Sequence, residues 1–352
     1  MAENSKIEWT SATFNPWEGC TKVSPGCAHC YAETRSNRLK TSKWGPSGTR
    51  VVRSESYWRE PVKWNKAAAA CICFRRDDLG ERHLPSCPQL DRPRVFCASL
   101  ADVFEDWRGP MTLSNGITAT TQVPGFAERP MLMSDARVRL LKLICDTPNL
   151  DWLLLTKRPQ NIQPMLRDAW MQLDSARDPD PRNSRPFVIP RNIWLGTSVE
   201  NQTAADERIP HLLRTPAAVR FLSCEPLLGQ VNLTNALDTV DEPGDSPEVR
   251  SRGIHWVIVG GESGHGARPF DLKWAYDIVK QCHAAAVPAF VKQLGGNPVE
   301  AWPGELIAPG HGYEPPEVVK LGLRNRKGGD MAEWPADLRV REFPTVPRRT
   351  TA

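Results

Sequence analysis

The sequence predicts an α/β fold in which a parallel sheet forms a partial barrel of the six-unit (β/α) type. Two observations carry this. Short β-branched and aromatic runs that end in polar residues recur from Arg94 onward, and longer segments with the apolar spacing of amphipathic helices lie between several of them. Strands that alternate with helices are joined by crossovers, so neighbouring strands run parallel. A chain of 352 residues with 40% apolar content can also bury the large core that such a barrel needs.

Taken in order, residues 1–66 are rich in Trp and polar residues without a sustained apolar period, which predicts irregular structure around one short strand and one helix. The helix begins near Cys30 and runs through Tyr31 to Leu39. Residues 67–93 read as a cysteine-rich insertion that opens on four alanines. Residues 94–296 hold the barrel. Its strand candidates are 94–102 (RVFCASLAD), 152–158 (WLLLTKR), 193–201 (IWLGTSVEN), 219–227 (VRFLSCEPL), 255–263 (HWVIVGGES) and 289–295 (AFVKQLG). Helical patterns lie at 134–146, 202–213 and 273–286, while 108–130, rich in Gly, Pro and Thr, reads as loop. Residues 297–352, with many Pro, Gly and charged positions, predict an extension that wraps the barrel.

In parallel sheets the chemistry gathers where the loops leave the carboxyl ends of the strands. Polar groups stand at those ends here: Ser99 and Asp102, Thr156 and Lys157, Ser198 and Glu200, Glu225, Glu262, and Lys292 with Gln293. Any single strand must end in polar residues. Six repetitions favour one shared polar mouth.

Forty-five Lys and Arg against 41 Asp and Glu leave a formal charge of +4. The excess is mild and the signs are mixed, so charge alone announces no nucleic-acid binder. No apolar run approaches the ~20 residues that cross a bilayer, and the start of the chain is polar, which predicts a soluble cytoplasmic protein with no membrane partner. In that reducing compartment the ten cysteines are expected as thiols, and their clustering is informative.

Cys20, Cys27 and Cys30 lie within NPWEGCTKVSPGCAHCYAE. Three thiolates on one loop, two of them separated by two residues, can each hold one iron of a cubane cluster and leave the fourth iron open to a substrate. Cys-x-x-Cys is equally a zinc signature, and His29 is a candidate fourth ligand for a tetrahedral site. Spacing leaves both readings open. A second group, Cys71-Ile-Cys73 with His83 and Cys87, suits zinc or an auxiliary cluster, and an inserted loop can also carry free thiols. The arginines around it make that stretch locally basic, which suits a loop touching nucleic acid as well as a solvated one.

The string NPWEGC…CAHCYA resembles the cluster loop of the spore photoproduct lyase-like branch of the radical S-adenosylmethionine (radical SAM) superfamily, with three extra residues between the first two cysteines. Over nearly the whole chain, SPGCAHCYAE, GTSVENQTAADERIPHLL, VRFLSCEPLLG, WVIVGGESGHGARP and EWPADLRVREFP closely resemble the phage-associated Gp37/Gp68, or DUF5131, family.

The resemblance implies a radical SAM barrel whose Cys20, Cys27 and Cys30 hold a [4Fe-4S] cluster and bind S-adenosylmethionine at the open iron. A reductant such as flavodoxin or ferredoxin supplies the electron, and the 5′-deoxyadenosyl radical takes hydrogen from the substrate. Tyr31 then lies near the adenine, Ser99 and Asp102 near the methionyl ammonium, Lys157 at the carboxylate and Ser198 at the ribose or carboxylate. Cys97, two residues before Ser99, is a candidate hydrogen donor, although an apolar strand is a natural home for a buried cysteine. Glu200, Glu225 and Glu262 are candidates to face the substrate.

Photoproduct lyase relatives and a phage association together imply a pyrimidine in DNA, or a modified nucleotide, and a location in the host cytoplasm. The expected reaction is isomerisation of an amino-acid-substituted thymidine in DNA hypermodification. A thymine photoproduct lyase is the alternative, and a non-enzymatic zinc-binding adaptor is the alternative from another class.

Overall fold

A computed structural model describes residues 5, 7–69, 92–122, 127–238, 253–301 and 318–345. Cys71, Cys73, His83 and Cys87 lie outside the described residues, as does most of the expected 67–93 insertion. The chain is a mixed α/β protein. Seven strands form its main sheet: β1 Ala12–Thr13, β2 Arg94–Cys97, β3 Asp151–Thr156, β4 Ile193–Ser198, β5 Val219–Cys224, β6 Trp256–Gly260 and β7 Ala289–Gln293. They follow one another in sequence order, the strand order of a half-barrel. The pairing is parallel at β1 with β2 (Ala12 beside Val95), β2 with β3 (Arg94 beside Asp151), β5 with β6 (Phe221 beside Trp256) and β6 with β7 (Val257 beside Ala289).

Each of the six strand candidates coincides with a strand, β3 beginning one residue earlier at Asp151. The central ones, β4 and β5, are buried at every position, as expected for a parallel sheet covered on both faces. The helices include α1 Tyr31–Leu39, α2 Met133–Cys145, α3 Ile162–Arg177, α4 Gln202–Leu213 and α5 Leu272–Ala284. α3 was not among the expected helices. Its Pro164 falls in the first turn, where backbone N–H groups have no intrahelical acceptor and proline does little harm.

The N-terminal region is more ordered than its lack of apolar period predicts. Trp17–Glu18 pairs antiparallel with Val51–Val52, and helices Glu55–Trp58 and Glu60–Ala69 follow. Large rings replace aliphatic periodicity here. Phe14 stacks on Tyr57 with centroids 5.0 Å apart and meets Trp58 and Trp152 edge-on, and all but Tyr57 are buried. The helix to Ala69 also takes up alanines that the sequence assigned to the insertion.

The described chain divides into two compact units. The first comprises Met1–Val23, Cys30–Gly196 and Thr215–Ala218. In it α2 buries Met133, Ala136, Leu140, Leu141, Leu143 and Ile144, and the amide of Asn192 caps three carbonyls, those of Ile144, Thr147 and Leu150. The second comprises Ser24–His29, Thr197–Arg214 and Val219–Ala352. There the C-terminal extension lies beside β7: Val291 N–H donates to the Val340 carbonyl at 2.8 Å and Glu342 N–H to that of Ala289 at 2.9 Å. Phe270–Asp271, Pro298–Ala301 and Val318–Lys320 form a small sheet of the same unit. Among the described residues no helix is long and apolar enough to cross a membrane.

Candidate functional site

In the first unit the loops after β2 and β3 converge on the segment that carries Cys20. The NPWEGC stretch is built for that position. Asn15 Oδ1 accepts from Leu100 N–H at 2.8 Å and from Ser99 Oγ at 3.2 Å, tying the loop to the end of β2. Glu18, almost fully buried, accepts from Arg35 of α1 at 2.8 Å and from Arg53. Gly19 has φ +107°, and a Cβ there would stand 2.3 Å from the Thr49 carbonyl oxygen, so no other residue fits without moving the backbone.

Beside Cys20 stands a buried ionic network. Arg158 Nη1 donates to Asp102 Oδ2 at 2.7 Å and to Cys20 Sγ at 3.8 Å, while Nη2 donates to the Thr21 carbonyl at 2.7 Å. Glu105 lies 3.7 Å from the same guanidinium. Its carboxylate is gripped by the fully buried Arg50, through Nε and Nη2, both at 2.7 Å. Arg50 also donates to Thr21 Oγ1 at 2.9 Å, and Gly45 N–H donates to the Cys20 carbonyl at 3.0 Å. The cysteine is therefore held by its backbone as well as approached at its sulfur.

Burial pushes the Cys20 thiol up to about 12, with Asp102 and Glu105 adding to the rise and Arg158 opposing it. A thiolate at this position needs positive charge close by, which a bound metal supplies. Burial works against the charge of Arg158, but Asp102, Cys20 and Glu105 outweigh it and keep the guanidinium protonated.

Tyr31 and Ser99, both expected at the cofactor, stand together: the exposed Tyr31 donates from its hydroxyl to the Ser99 carbonyl at 2.7 Å. Lys157 is half-buried and its backbone N–H points at Asp102 Oδ2, 3.3 Å away. Asp102, expected near the methionyl ammonium, is bound within the protein. Its two oxygens are occupied by Arg158, Thr156 Oγ1 at 2.7 Å and Phe104 N–H at 2.9 Å, so it serves the network rather than offering a carboxylate to an ammonium. Cys97 is fully buried and burial pushes its thiol up, which seals it in the core of β2.

The second unit carries the turn with Cys27. Residues Pro25–Cys27 form a single 3-10 turn. Glu262, nearly buried, accepts from His29 Nδ1 at 2.9 Å and from Arg268 Nη2 at 2.6 Å, and Arg268 Nη1 reaches the Pro25 carbonyl at 2.9 Å. Burial raises the Glu262 carboxyl, but the hydrogen bonds from Arg268 and His29 prevail and hold it at about 2. Gly26 faces Glu200, whose Cδ would be 3.1 Å from an added Cβ, and Glu200 is itself paired with Arg208 at 2.7 Å. Ser198 is buried, with its carbonyl accepting from Arg208 at 2.9 Å. Glu225 pairs with Lys292 across the ends of β5 and β7. The three glutamates expected to face a substrate, Glu200, Glu225 and Glu262, are thus engaged with cations of the protein.

Cys20, Cys27 and Cys30 form no disulfide, and each residue is of intermediate exposure. Three thiol donors within eleven residues of sequence are a donor set whose chemistry suits the irons of a cluster. Among the described residues no three His, Cys, Asp or Glu side chains form a group sized for one metal ion. In the zinc alternative His29 would be the fourth ligand, and its Nδ1 is engaged with Glu262.

Sequence reasoning overlooked Arg158, Arg50, Glu105, Arg208 and Arg268. The available signal was the pair Asp102 and Glu105, three apart after an apolar strand, because buried carboxylates need cations and the TKR run after β3 provides one.

A family model described as a protein of unknown function (DUF5131) matches residues 4–122 and 128–330. No curated protein and no solved structure matches the chain.

Proposed function

The chain belongs to the DUF5131 family, and we propose that it is a radical SAM enzyme that holds a [4Fe-4S] cluster through Cys20, Cys27 and Cys30. The observation that carries this reading is the trio of cysteines in one short stretch of sequence, none of them in a disulfide, together with the cation poised at the first sulfur. The parallel sheet with polar strand ends supports it, since that architecture places ligand-binding loops at one edge.

When bound, the cluster supplies one electron to S-adenosylmethionine, whose cleavage yields methionine and a 5′-deoxyadenosyl radical that takes a hydrogen atom from substrate. The protein's own residues bind and orient. Lys157 suits the methionyl carboxylate as a compact positive charge, and Ser99 and Tyr31, already joined to each other, suit the amino and adenine ends. Asp102 acts at one remove, by holding Arg158. Cys97, sealed in the core, stays out of the hydrogen return.

For the substrate we propose a pyrimidine carried in DNA, with rearrangement of an amino-acid-substituted thymidine as the reaction. Its support is the resemblance of the cluster loop to photoproduct lyases and of the chain to a phage-associated family. Hydrogen abstraction from the substituent leaves a carbon radical, the substituent moves from nitrogen to carbon linkage, and hydrogen return closes the cycle with no net oxidation. In duplex DNA the base must first leave the stack, at a cost of a few kcal/mol.

The test is incubation of anaerobically reconstituted protein with S-adenosylmethionine and dithionite. The expected products are 5′-deoxyadenosine and methionine, both absent in C27A. Parallel arms carry amino-acid-modified phage DNA and ultraviolet-treated DNA for nucleoside analysis. Turnover confined to the second arm would replace isomerase by lyase, and intact S-adenosylmethionine in every arm would end the radical reading.

A further inference from the structure

We propose that Arg158 is a positioning residue that donates a hydrogen bond to the Cys20 sulfur and thereby raises the reduction potential of the cluster, an inference that rests on the radical SAM reading above. Three features of the geometry point to it. The guanidinium is buried and cannot swing away: Asp102 holds Nη1 at 2.7 Å, the Thr21 carbonyl holds Nη2 at 2.7 Å, and Glu105 stands 3.7 Å off. The segment that carries the sulfur is held in turn, because Gly45 N–H donates to the Cys20 carbonyl and Arg50 donates to the next side chain, Thr21. The Nη1 group that meets Asp102 also faces Cys20 Sγ at 3.8 Å, within reach of an N–H···S hydrogen bond.

Reduction places one more negative charge on the cluster and its thiolates. A fixed cation with its N–H aimed at a ligand sulfur stabilises that charge, and hydrogen bonds to the sulfurs together with net charge are what set such potentials. The electron comes from an external one-electron donor, and Arg158 neither gains nor loses a proton. The same cation has few N–H groups left over for a substrate, since four protein groups already surround it. Its two acids hold the fork in place: Asp102 accepts from Nη1 and Glu105 stands beside Nη2.

The experiment is a dithionite titration of the full-length protein, purified without oxygen, with the reduced cluster followed by electron paramagnetic resonance. Wild type, R158K and R158Q are compared after iron and sulfide have been measured in each. The expected result is a full complement of iron and sulfide in R158Q with a midpoint shifted to more negative potential, and an intermediate shift in R158K, which keeps the charge and loses the fork. R158Q with an intact cluster and the wild-type midpoint overturns the inference. If R158Q fails to fold, wild type labelled with ¹⁵N in the arginine guanidinium decides: a ¹⁵N hyperfine coupling at the reduced cluster supports the contact, and its absence refutes it. Wild type that holds no cluster is a different failure, and it strikes the radical SAM reading itself.

Discussion

Arg158, Asp102, Glu105 and Arg50 bury two guanidinium and two carboxylate groups in one place. Such a network is costly to assemble and costlier to break, because removing one partner leaves a charge without compensation. D102A is therefore expected to destabilise the protein by roughly 3 kcal/mol in urea unfolding. A loss no larger than that of an exposed ion pair, under about 1 kcal/mol, would show that the carboxylate does not anchor Arg158. His255 makes a second prediction at this scale. Burial, then the charge of Arg220, hold its imidazole down from 6.5 to about 4. The folded pKa lies below the unfolded one, so the contribution to stability is complete above about 6.5 and is lost as pH falls from there towards 4. At full extent this amounts to roughly 3 kcal/mol. Unfolding of wild type and H255N, followed from pH 7 to pH 4, should show wild type losing its advantage in that window; parallel curves would remove His255 from the account.

Single elements show which signals a sequence carries. α4 was legible from its helical pattern at 202–213, and the structure adds its cap: the Asn201 side chain accepts from Ala204 N–H at 2.9 Å. N201A should cost about 1 kcal/mol, and an unchanged midpoint in thermal unfolding would mean that the cap does not hold that helix. α3 was hidden by Pro164, which reads as a helix breaker until its place in the first turn is known. The N-terminal element around Trp17 was hidden for another reason: its core is a cluster of rings drawn from residues 9 to 152, and no local period records such contacts. Gly19 belongs to the same element. With φ +107° and the Thr49 carbonyl 2.3 Å from any added Cβ, G19A should displace the Cys20 loop and lower the iron content of the purified protein. Full iron content in G19A would contradict the assigned role of that glycine.

At the level of the whole chain, strand ends were readable because a parallel sheet forces its polar residues to the points where apolar runs stop, as at Thr156 and Glu225. What those groups do there was less readable. Asp102 and Arg158 are 56 residues apart and Glu262 and His29 are 233 apart, so each pairing depends on the fold rather than on local spacing. The three cysteines proposed as cluster ligands stand out for the opposite reason, since residues grouped on one short segment leave their mark in the sequence itself. The most direct measurement of the central claim is iron and acid-labile sulfide content, with Mössbauer spectroscopy, on wild-type protein purified without oxygen. The account predicts a cubane cluster with one iron distinguished from the other three and perturbed when S-adenosylmethionine is added. Zinc in place of iron, or four equivalent irons that do not respond to S-adenosylmethionine, would contradict it.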